Sequence, residues 1–330
     1  MTRSTQAGMT VAAVMATTTK KIKAAKVPAL QVLLSYRRAH NSLGERQYIM
    51  DFIQPLKPHV ITTDKGEVMA FIVYVGKSNI MFTSHTDTVY MSSDVKRQVV
   101  LLKENLYCKE DNQPLGADDA AGNWLMFNMI HARVPGIYAF FRGEERGGIG
   151  SSYCAKHVPD LFQGVDCAIA LDRRGYNSII THQGMGRGCS DEFGLSLARV
   201  INLGYELDKT GIYTDTAEFF NLVPNCTNVS VGYDREHSKM ETLDKFHIER
   251  LRDSLLAADW SQLDFTPPVP DVSVKSSLFG RLSIQDDADD TDDVVALEVA
   301  DFVFDYCDRL PKDLRDEALA LAQKIYKRFE

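Results

Sequence analysis

The sequence predicts an α/β fold with a mixed, mainly parallel central sheet, helices on both faces and a helical tail at the C-terminus. Segments typical of strands alternate with segments typical of helices over most of the chain, and that order builds a sheet covered by helices. The strand segments, such as residues 137–141 and 165–171, are apolar throughout. Continuous apolar runs are typical of strands buried on both faces. We therefore expect functional residues beyond the carboxyl ends of the strands.

The predicted strands are short apolar runs that end at turn residues or at polar residues. They lie at residues 60–63, 68–75, 80–83, 137–141, 165–171 and 227–231, with shorter candidates at 98–103 and 177–181. The first two are joined by Asp64-Lys65-Gly66, a combination typical of a tight turn.

The predicted helices show apolar residues at helical spacing. Pro28 suits an early helical position, so the first helix is expected to open at Val27-Pro28. The others are predicted at residues 43–53, from the end of the segment 115–122 through residue 130, at 190–201, at 215–220 and from 238 to about 260. In the last of these, Ser238 and Glu241 have the spacing of a capping box.

The chain is predicted to contain four regions. Residues 1–26 hold five basic and no acidic residues, and we interpret them as a disordered tail, with a transit peptide as the weaker alternative. Residues 27–262 form the main domain. Residues 263–293 are Pro-rich and then acidic, with six Asp between 286 and 293, which indicates a linker. Residues 294–330 are predicted to form two amphipathic helices that could mediate self-association.

Composition argues against several classes of protein. The formal net charge is −8, so no overall basic surface suggests nucleic acid binding. There is no run of 18 apolar residues, so we expect no membrane span. The six cysteines are scattered without a Cys-x-x-Cys motif, which favours reduced thiols and a cytoplasmic location.

Polar residues of the kinds that bind metals follow several of the predicted strands. His85 and Asp87 come just after the strand at residues 80–83, and a His-x-Asp pair can supply a metal ligand and the carboxylate that holds its other ring nitrogen. Five residues along the chain have the ligand types of a two-metal site. They are His85, Asp118, Glu145, Asp172 and His237.

This set of residues predicts hydrolytic chemistry. Two dications repel each other, so one carboxylate must bridge them. Mixed His and carboxylate ligation favours zinc, with cobalt and manganese as alternatives, and paired metals activate a water and stabilise the oxyanion of a tetrahedral intermediate. A further carboxylate must carry the proton of that water to the leaving amine. Glu144 lies beside a ligand but is itself free, so it suits that role.

The order of these motifs resembles the co-catalytic zinc exopeptidases of clan MH, over residues 28–260. Two branches are relevant: the aminopeptidase and glutaminyl-cyclase-like family, and the peptidase T, carboxypeptidase and deacylase family. The resemblance rests on His85-x-Asp87, Gly-Ala-Asp118-Asp119, Glu144-Glu145, Asp172 and His237. It implies that His85 and Asp172 hold one metal, that Glu145 and His237 hold the other, and that Asp118 bridges the two. It also implies that Asp87 orients His85 and that Glu144 is the general base. The peptide bond between Asp118 and Asp119 is expected to be cis.

The local motif resembles one branch, whereas the expected domain architecture resembles the other. Residues 115–122 are very similar to peptidase T, but that branch inserts a lid domain between the equivalents of Asp172 and His237. Here 64 residues separate the two, so we expect a single domain without a lid. The lid histidine is then missing, and Tyr213 is a candidate for the oxyanion donor. Three arginines near the expected site are candidates for holding a substrate carboxylate, with ordinary surface charge as the alternative: Arg173, Arg174 and Arg187.

The sequence thus predicts a metal-dependent exopeptidase, aminopeptidase-like, with two zinc ions per chain and a peptide or small amide as substrate. One alternative is a zinc amidohydrolase, deacylase or carboxypeptidase that acts on a small amide. An alternative of another class is a catalytically inactive binding protein on the same fold. Neither nucleic acid nor a membrane is an expected partner, and self-association through the C-terminal helices is expected as an option.

Overall fold

The structure is a computed structural model that describes residues 27–89, 99–102, 105–108, 113–184 and 186–269. All of these residues lie within a unit that spans Met1–Pro270. The predicted basic tail, most of the predicted linker and the predicted C-terminal helices lie outside the described residues. In the part of the chain that is described, no helix is both long enough and apolar enough to cross a membrane.

The strands are numbered in chain order. They are β1 (His59–Thr62), β2 (Val68–Val75), β3 (Ile80–His85), β4 (Val99–Leu102), β5 (Asn105–Cys108), β6 (Gly136–Phe141), β7 (Cys167–Arg173), β8 (Ser178–Ile180), β9 (His182–Gln183), β10 (Gly186–Arg187), β11 (Glu206–Asp208), β12 (Asn225–Ser230), β13 (Tyr233–Asp234) and β14 (Thr242–Asp244).

The helices are numbered in the same way. They are α1 (Leu30–Leu34), α2 (Leu43–Tyr48), α3 (Ala117–His131), α4 (Ile149–His157), α5 (Asp191–Ile201) and α6 (Lys245–Ala257). A π-turn at Ile49–Ile53 continues α2, and short 3₁₀ turns lie at Gln54–Leu56, Glu144–Arg146, Pro159–Phe162, Asp215–Phe219 and Trp260–Gln262.

Eight strands form the central sheet in the order β1-β2-β6-β3-β7-β12-β8-β11. The neighbours from β6 through β3 and β7 to β12 are parallel. The strands β1 and β2 form an antiparallel edge, and β8 pairs antiparallel with β12 but parallel with β11. The mixed, mainly parallel sheet that the sequence predicts is therefore confirmed.

Apolar side chains cover both faces of this sheet. On β6, Tyr138 and Phe140 belong to the core on the side of α3. Ile137 and Phe141, on the same strand, belong to a second core that includes Cys154 of α4. Because successive side chains of a strand point to opposite faces, these two cores lie on the two faces of the sheet, and helices cover both, as predicted.

Two central strands end two residues later than predicted. β3 runs to His85 and β7 to Arg173, so His85 and Asp172 lie within strands rather than beyond them. His85 pairs with Phe141 of β6, and backbone pairing of this kind does not depend on an apolar side chain. The sheet itself therefore fixes the backbone that carries the imidazole of His85 and the carboxylate of Asp172.

The predicted capping box at Ser238 is wrong. Helix α6 begins at Lys245, and the side chain of Asp244 accepts the N–H of His247 at 2.9 Å. Ser238 instead donates its hydroxyl to the carbonyl of Arg235. The segment that contains Glu241 precedes β14, which pairs with β5 in a four-stranded second sheet, β13-β14-β5-β4.

The start of the predicted linker packs on the domain. The backbone N–H of Asp264 donates to Ser196 Oγ at 2.9 Å, and Ser190 Oγ donates to the carbonyl of Thr266 at 2.7 Å. Leu263 is buried. The domain therefore continues to at least Thr266, past the predicted boundary at residue 262, because these residues complete its core and its hydrogen bonds.

Candidate metal centre

The predicted ligands meet at the carboxyl ends of the parallel strands. His85 is the last residue of β3, and Asp172 lies near the end of β7. The turn at Glu144–Arg146 follows β6, and His237 follows β13. Asp118 lies in the first turn of α3. Parallel strands that end at the same edge of a sheet bring such residues together, although they are far apart in the sequence.

Asp118 lies at the centre of the cluster. Its Oδ1 is 2.9 Å from His85 Nε2, and its Oδ2 is 3.1 Å from His237 Nε2. Asp172 Oδ1 is 3.5 Å from His85 Nε2, and both carboxylate oxygens of Glu145 are 3.1 Å from His237 Nε2. Two sets of potential ligands share Asp118, and within each set the ligand atoms lie within 4.8 Å of one another.

The backbone around Asp118 departs from an ordinary helix start. The peptide bond between Asp118 and Asp119 is cis, as the resemblance implies. Gly116 precedes it with φ of +70°, a conformation that glycine adopts without a steric penalty. The backbone N–H groups of Gly116 and Asp118 donate to the carboxylate of Glu241 at 2.8 and 3.1 Å. The turn at Gly116 and these two hydrogen bonds hold the backbone of Asp118, and both of its carboxylate oxygens face the cluster.

Glu144 lies at the edge of the cluster, with Oε2 4.0 Å from His85 Nε2. Gly143, at φ of +73°, turns the chain after β6. Asp87 Oδ1 accepts the N–H groups of Gly143 and Glu144 at 2.9 and 3.2 Å. The carboxylate of Asp87 therefore contacts the turn that carries Glu144.

Asp87 also contacts the imidazole of His85, on the side away from Asp118. Its Nδ1 is 3.1 Å from the backbone carbonyl oxygen of Asp87 and 3.6 Å from Asp87 Oδ1. The shorter contact is with the carbonyl. Metal-binding histidines usually donate their second ring nitrogen to a carbonyl or a carboxylate, and this contact leaves Nε2 facing Asp118.

Asp172 is held by residues that sequence analysis did not identify. Thr214 Oγ1 donates to Asp172 Oδ2 at 2.9 Å. Asn228 accepts the backbone N–H of Asp172 and donates to its carbonyl, both at 3.0 Å, and Tyr233 OH donates to the same carbonyl at 2.9 Å. No local sequence pattern marks these partners, because they lie on strands and loops far from Asp172 in the chain.

Buried negative charge accumulates in this cluster. Burial raises the pKa of Asp172, and it raises the pKa of Glu144 well above the usual carboxylate value. Burial and the neighbouring Asp118 raise the pKa of Glu145 to about 7. Carboxylates packed together at a buried site resist ionisation, and a dication among them would remove that resistance.

The two histidines are in surroundings that favour positive charge. Burial lowers the pKa of His85, but the carboxylates around it, foremost Asp172, outweigh burial and raise the pKa well above its usual value. Burial likewise lowers the pKa of His237, and its bonds to Asp118 and Glu145 raise it to about 11. A metal ion takes the place of the proton when a neutral imidazole ligates it, so this donor set fits metal ions.

A second group of ligand-type side chains, His40, Glu45 and Asp87, lies behind the cluster. Arg142 forms two hydrogen bonds with the carboxylate of Glu45, at 3.0 and 2.7 Å. Thr86 and the N–H of Asn41 also donate to Glu45. The Glu45 oxygens already have cationic and neutral donors, so this group supports the fold rather than a metal.

The predicted substrate-binding residues have partners within the protein. Tyr213 OH donates to Glu218 at 3.0 Å. Arg187 forms an ion pair with Asp191 at 2.9 Å. Arg173 donates to Thr210, and the exposed Arg174 pairs with Glu236. Their roles toward a substrate remain predictions.

The described fold is similar to those of several solved structures. No protein-family model matches the sequence, and no curated protein matches it. The aminopeptidase PepT from Bacillus cereus superposes with a TM-score of 0.52 at 14% identity, over 69% of this chain and 95% of that chain. A tripeptidase from Staphylococcus aureus gives a TM-score of 0.54 at 14% identity, with the same two coverages.

A third structure is similar to a comparable degree. The TET1 peptidase from Pyrococcus horikoshii, which can assemble into a tetrahedron or a large octahedral shell, superposes with a TM-score of 0.51 at 16% identity, over 69% of this chain and 97% of that chain. The sequence identities are low, so the likeness concerns the fold. This chain has the mixed α/β fold of these peptidases.

Proposed function

We propose that this protein is a metal-dependent exopeptidase of the aminopeptidase type. The observation that carries the proposal is the position of Asp118, whose two oxygens face His85 at 2.9 Å and His237 at 3.1 Å. Each histidine has a carboxylate of its own, Asp172 or Glu145. A carboxylate shared between two such sets is what a pair of neighbouring dications requires.

The proposed cofactor is a pair of zinc ions, with cobalt or manganese as substitutes. His85 and Asp172 would hold one, Glu145 and His237 the other, and Asp118 would bridge them. Ligation by imidazole and carboxylate favours zinc among the common metals. When bound, such a pair supplies an activated water and stabilises negative charge on the oxygen of the scissile carbonyl.

Glu144 is the proposed general base. Its carboxylate is 4.0 Å from the metal-facing nitrogen of His85, and hydrogen bonds from the Gly143 and Glu144 N–H groups to Asp87 fix its turn. In this position Glu144 can accept the proton of the attacking water and deliver it to the leaving amine. Tyr213 remains the proposed donor to the oxyanion, because its hydroxyl lies close to Gly148, just beyond the Glu144 turn. In that role it would exchange its hydrogen bond to Glu218 for one to the oxyanion.

The structural neighbours support a peptide substrate. Those with the same fold are described as an aminopeptidase and a tripeptidase, so a short peptide with a free N-terminus is the substrate class we propose. The presence of all five ligand-type residues together with Glu144 supports an active enzyme over a binding protein. The buried cysteines Cys154, Cys167, Cys189 and Cys226 are free thiols, which supports a reducing compartment, and we propose the cytoplasm.

Activity after controlled metal removal tests this function. The protein is stripped with a strong chelator, reconstituted with zinc or cobalt, and assayed on aminoacyl amides, tripeptides and N-acyl amino acids. We expect no turnover without metal, recovery with either metal, and preference for substrates with a free N-terminus. Preference for N-acyl amino acids would identify a deacylase, and full activity after long incubation with chelator would rule out the metal-dependent reaction.

A further inference from the structure

Glu241 is a buried carboxylate that the proposed reaction does not use. It is 2% exposed. Its Oε2 accepts the N–H of Gly116 at 2.8 Å, and its Oε1 accepts the N–H of Asp118 at 3.1 Å. Both oxygens thus have a backbone donor, and Glu241 belongs to neither of the two ligand sets that share Asp118. The buried carboxylate of Glu241 therefore holds the backbone of Asp118, the residue that is proposed to bridge the two metal ions.

These hydrogen bonds join the two segments that carry neighbouring ligands. Glu241 follows His237 by four residues, and both lie between β13 and β14. Asp118 lies at the start of α3, and its Oδ2 is 3.1 Å from His237 Nε2. His237 has φ of +60°, in the left-handed region that residues with a side chain seldom adopt. The segment therefore needs an anchor close to His237, and Glu241 supplies it.

The bridging loop is also held from its other side. Arg38 is almost fully buried, and its Nη2 donates to the carbonyl of Gly116 at 2.8 Å. Its Nη1 donates to the carbonyl of Thr86, next to His85, at 3.1 Å. Gly116 thus has its N–H bound to an anion and its carbonyl bound to a cation, and Glu241 is the link on the His237 side.

We propose that Glu241 is a positioning residue that sets the separation of Asp118 and His237, and with it the affinity of the cation site formed by Asp118, Glu145 and His237. This inference rests on the proposed function. The other set, with His85 and Asp172, is fixed by strands β3 and β7 and depends less on the His237 segment. The expected consequence is selective: loss of the Glu241 contacts weakens one cation site and spares the other.

Zinc titration of the full chain tests the proposal. Glu241→Gln keeps the size of the side chain, but its amide group offers an acceptor to only one of the two N–H groups. Outer partners of metal ligands typically change metal affinity by roughly 10–100-fold. We expect the variant to bind the first zinc ion as tightly as the parent does and the second roughly 10–100-fold more weakly. Competition with a chelating dye measures both affinities. Cobalt absorption spectra, recorded in parallel, should change for the second ion added only.

A matched control separates this effect from a general loss of charge. Glu249 lies on α6 and pairs with Lys245 at the surface, so Glu249→Gln should bind both zinc ions as the parent does. If Glu241→Gln fails to fold, judged by circular dichroism, Glu241→Asp is used instead, because the shorter carboxylate reaches one N–H at most. Unchanged binding of both ions, or equal weakening of both, overturns the proposal. A parent protein that binds no zinc overturns the proposed function as well.

Discussion

At the scale of single residues, Asp87 connects two parts of the centre. Its backbone carbonyl faces Nδ1 of His85, and its carboxylate accepts the N–H groups of Gly143 and Glu144. The resemblance implies that Asp87 orients His85, and the contacts add a role toward the turn that carries the proposed base. Burial raises and contact with His85 lowers the pKa of Asp87, and the net result is a lowered pKa, so the carboxylate is charged where it accepts these N–H groups.

The adjacent residues Glu144 and Glu145 should respond differently to the same substitution. Glu144→Gln keeps the size and hydrogen bonding of the side chain but cannot accept a proton. We expect it to retain both metals and to lose roughly 10²–10⁴-fold in kcat, the range of general acid–base catalysis. Glu145→Gln should weaken the site that includes His237. Metal content and turnover are measured together on each variant, and a Glu144→Gln protein that loses metal while its loaded fraction keeps full turnover would show that the roles are exchanged.

The residue types and their order in the chain were sufficient to predict the cluster. His85, Asp118, Glu145, Asp172 and His237 could be found because metal chemistry needs imidazoles and carboxylates, and because each follows or ends an apolar strand or loop. The residues that hold these side chains in place could not be predicted from the sequence. Thr214 and Asn228 contact Asp172 only because the fold brings distant segments together. Glu241 was assigned to a helix cap because its spacing from Ser238 suits one, and the N–H groups of the Asp118 loop are its actual partners.

At the scale of elements, the close approach of α3 to β7 supports the centre. A methyl group at Gly122 would lie 2.2 Å from the carbonyl oxygen of Leu171 and 2.6 Å from the carboxylate of Asp119. The N–H of Gly122 also donates to Asp119 at 2.8 Å. Glycine therefore allows the helix that carries Asp118 to lie directly against the strand that carries Asp172.

Replacement of this glycine should cost stability, whereas replacement of a glycine in another helix should not. At Gly122 the added methyl group meets backbone, and overpacking of this kind typically costs about 1–3 kcal/mol. At Gly194 in α5 it would meet the end of the Leu207 side chain at 2.5 Å, which can move, and alanine gains about 1 kcal/mol of helix propensity over glycine. We expect Gly122→Ala to lower the free energy of unfolding in urea and Gly194→Ala to change it little. Equal effects of the two would contradict this packing argument.

The predicted ends of elements were less accurate than their existence. Apolar runs located β2, β3, β6 and β7, because burial on both faces demands such residues. The polar ends of β3 and β7 were missed because hydrogen bonding to neighbouring strands extends a strand beyond its apolar part. Of the second sheet, the sequence predicted only β4, as the strand candidate at residues 98–103. Its other strands were missed because they are two to four residues long, and the pairing of β14 with β5 joins distant segments.

At the scale of the whole molecule, the described residues include every residue to which we assign a part in the proposed activity. The ligand-type residues and Glu144 all lie between residues 85 and 237. The domain continues to Thr266, whose carbonyl accepts from Ser190 at 2.7 Å. The predicted acidic segment and terminal helices follow that point in the sequence.

A chain that ends at residue 275 should therefore fold and remain active. Among the described residues, the contacts that complete the domain extend to Thr266, so we expect soluble protein with two bound zinc ions and the melting temperature of the parent. Gel filtration of the two proteins tests the separate prediction that the C-terminal helices mediate self-association. As a control, a chain that ends at residue 258 loses buried Leu263 and the contacts of Asp264 and Thr266, and it should be less stable. Insoluble protein from the chain that ends at 275 would mean that the tail belongs to the core.

The central claim is that Asp118 bridges two metal ions, and anomalous diffraction at the zinc edge from zinc-loaded crystals tests it most directly. The account predicts two anomalous peaks, separated by about 3.5–4 Å as in other two-metal sites. One should lie beside Asp118 Oδ1 with His85 and Asp172, and the other beside Asp118 Oδ2 with Glu145 and His237. A single peak, a peak at His40 and Glu45 instead, or no peak next to Asp118 would contradict the account.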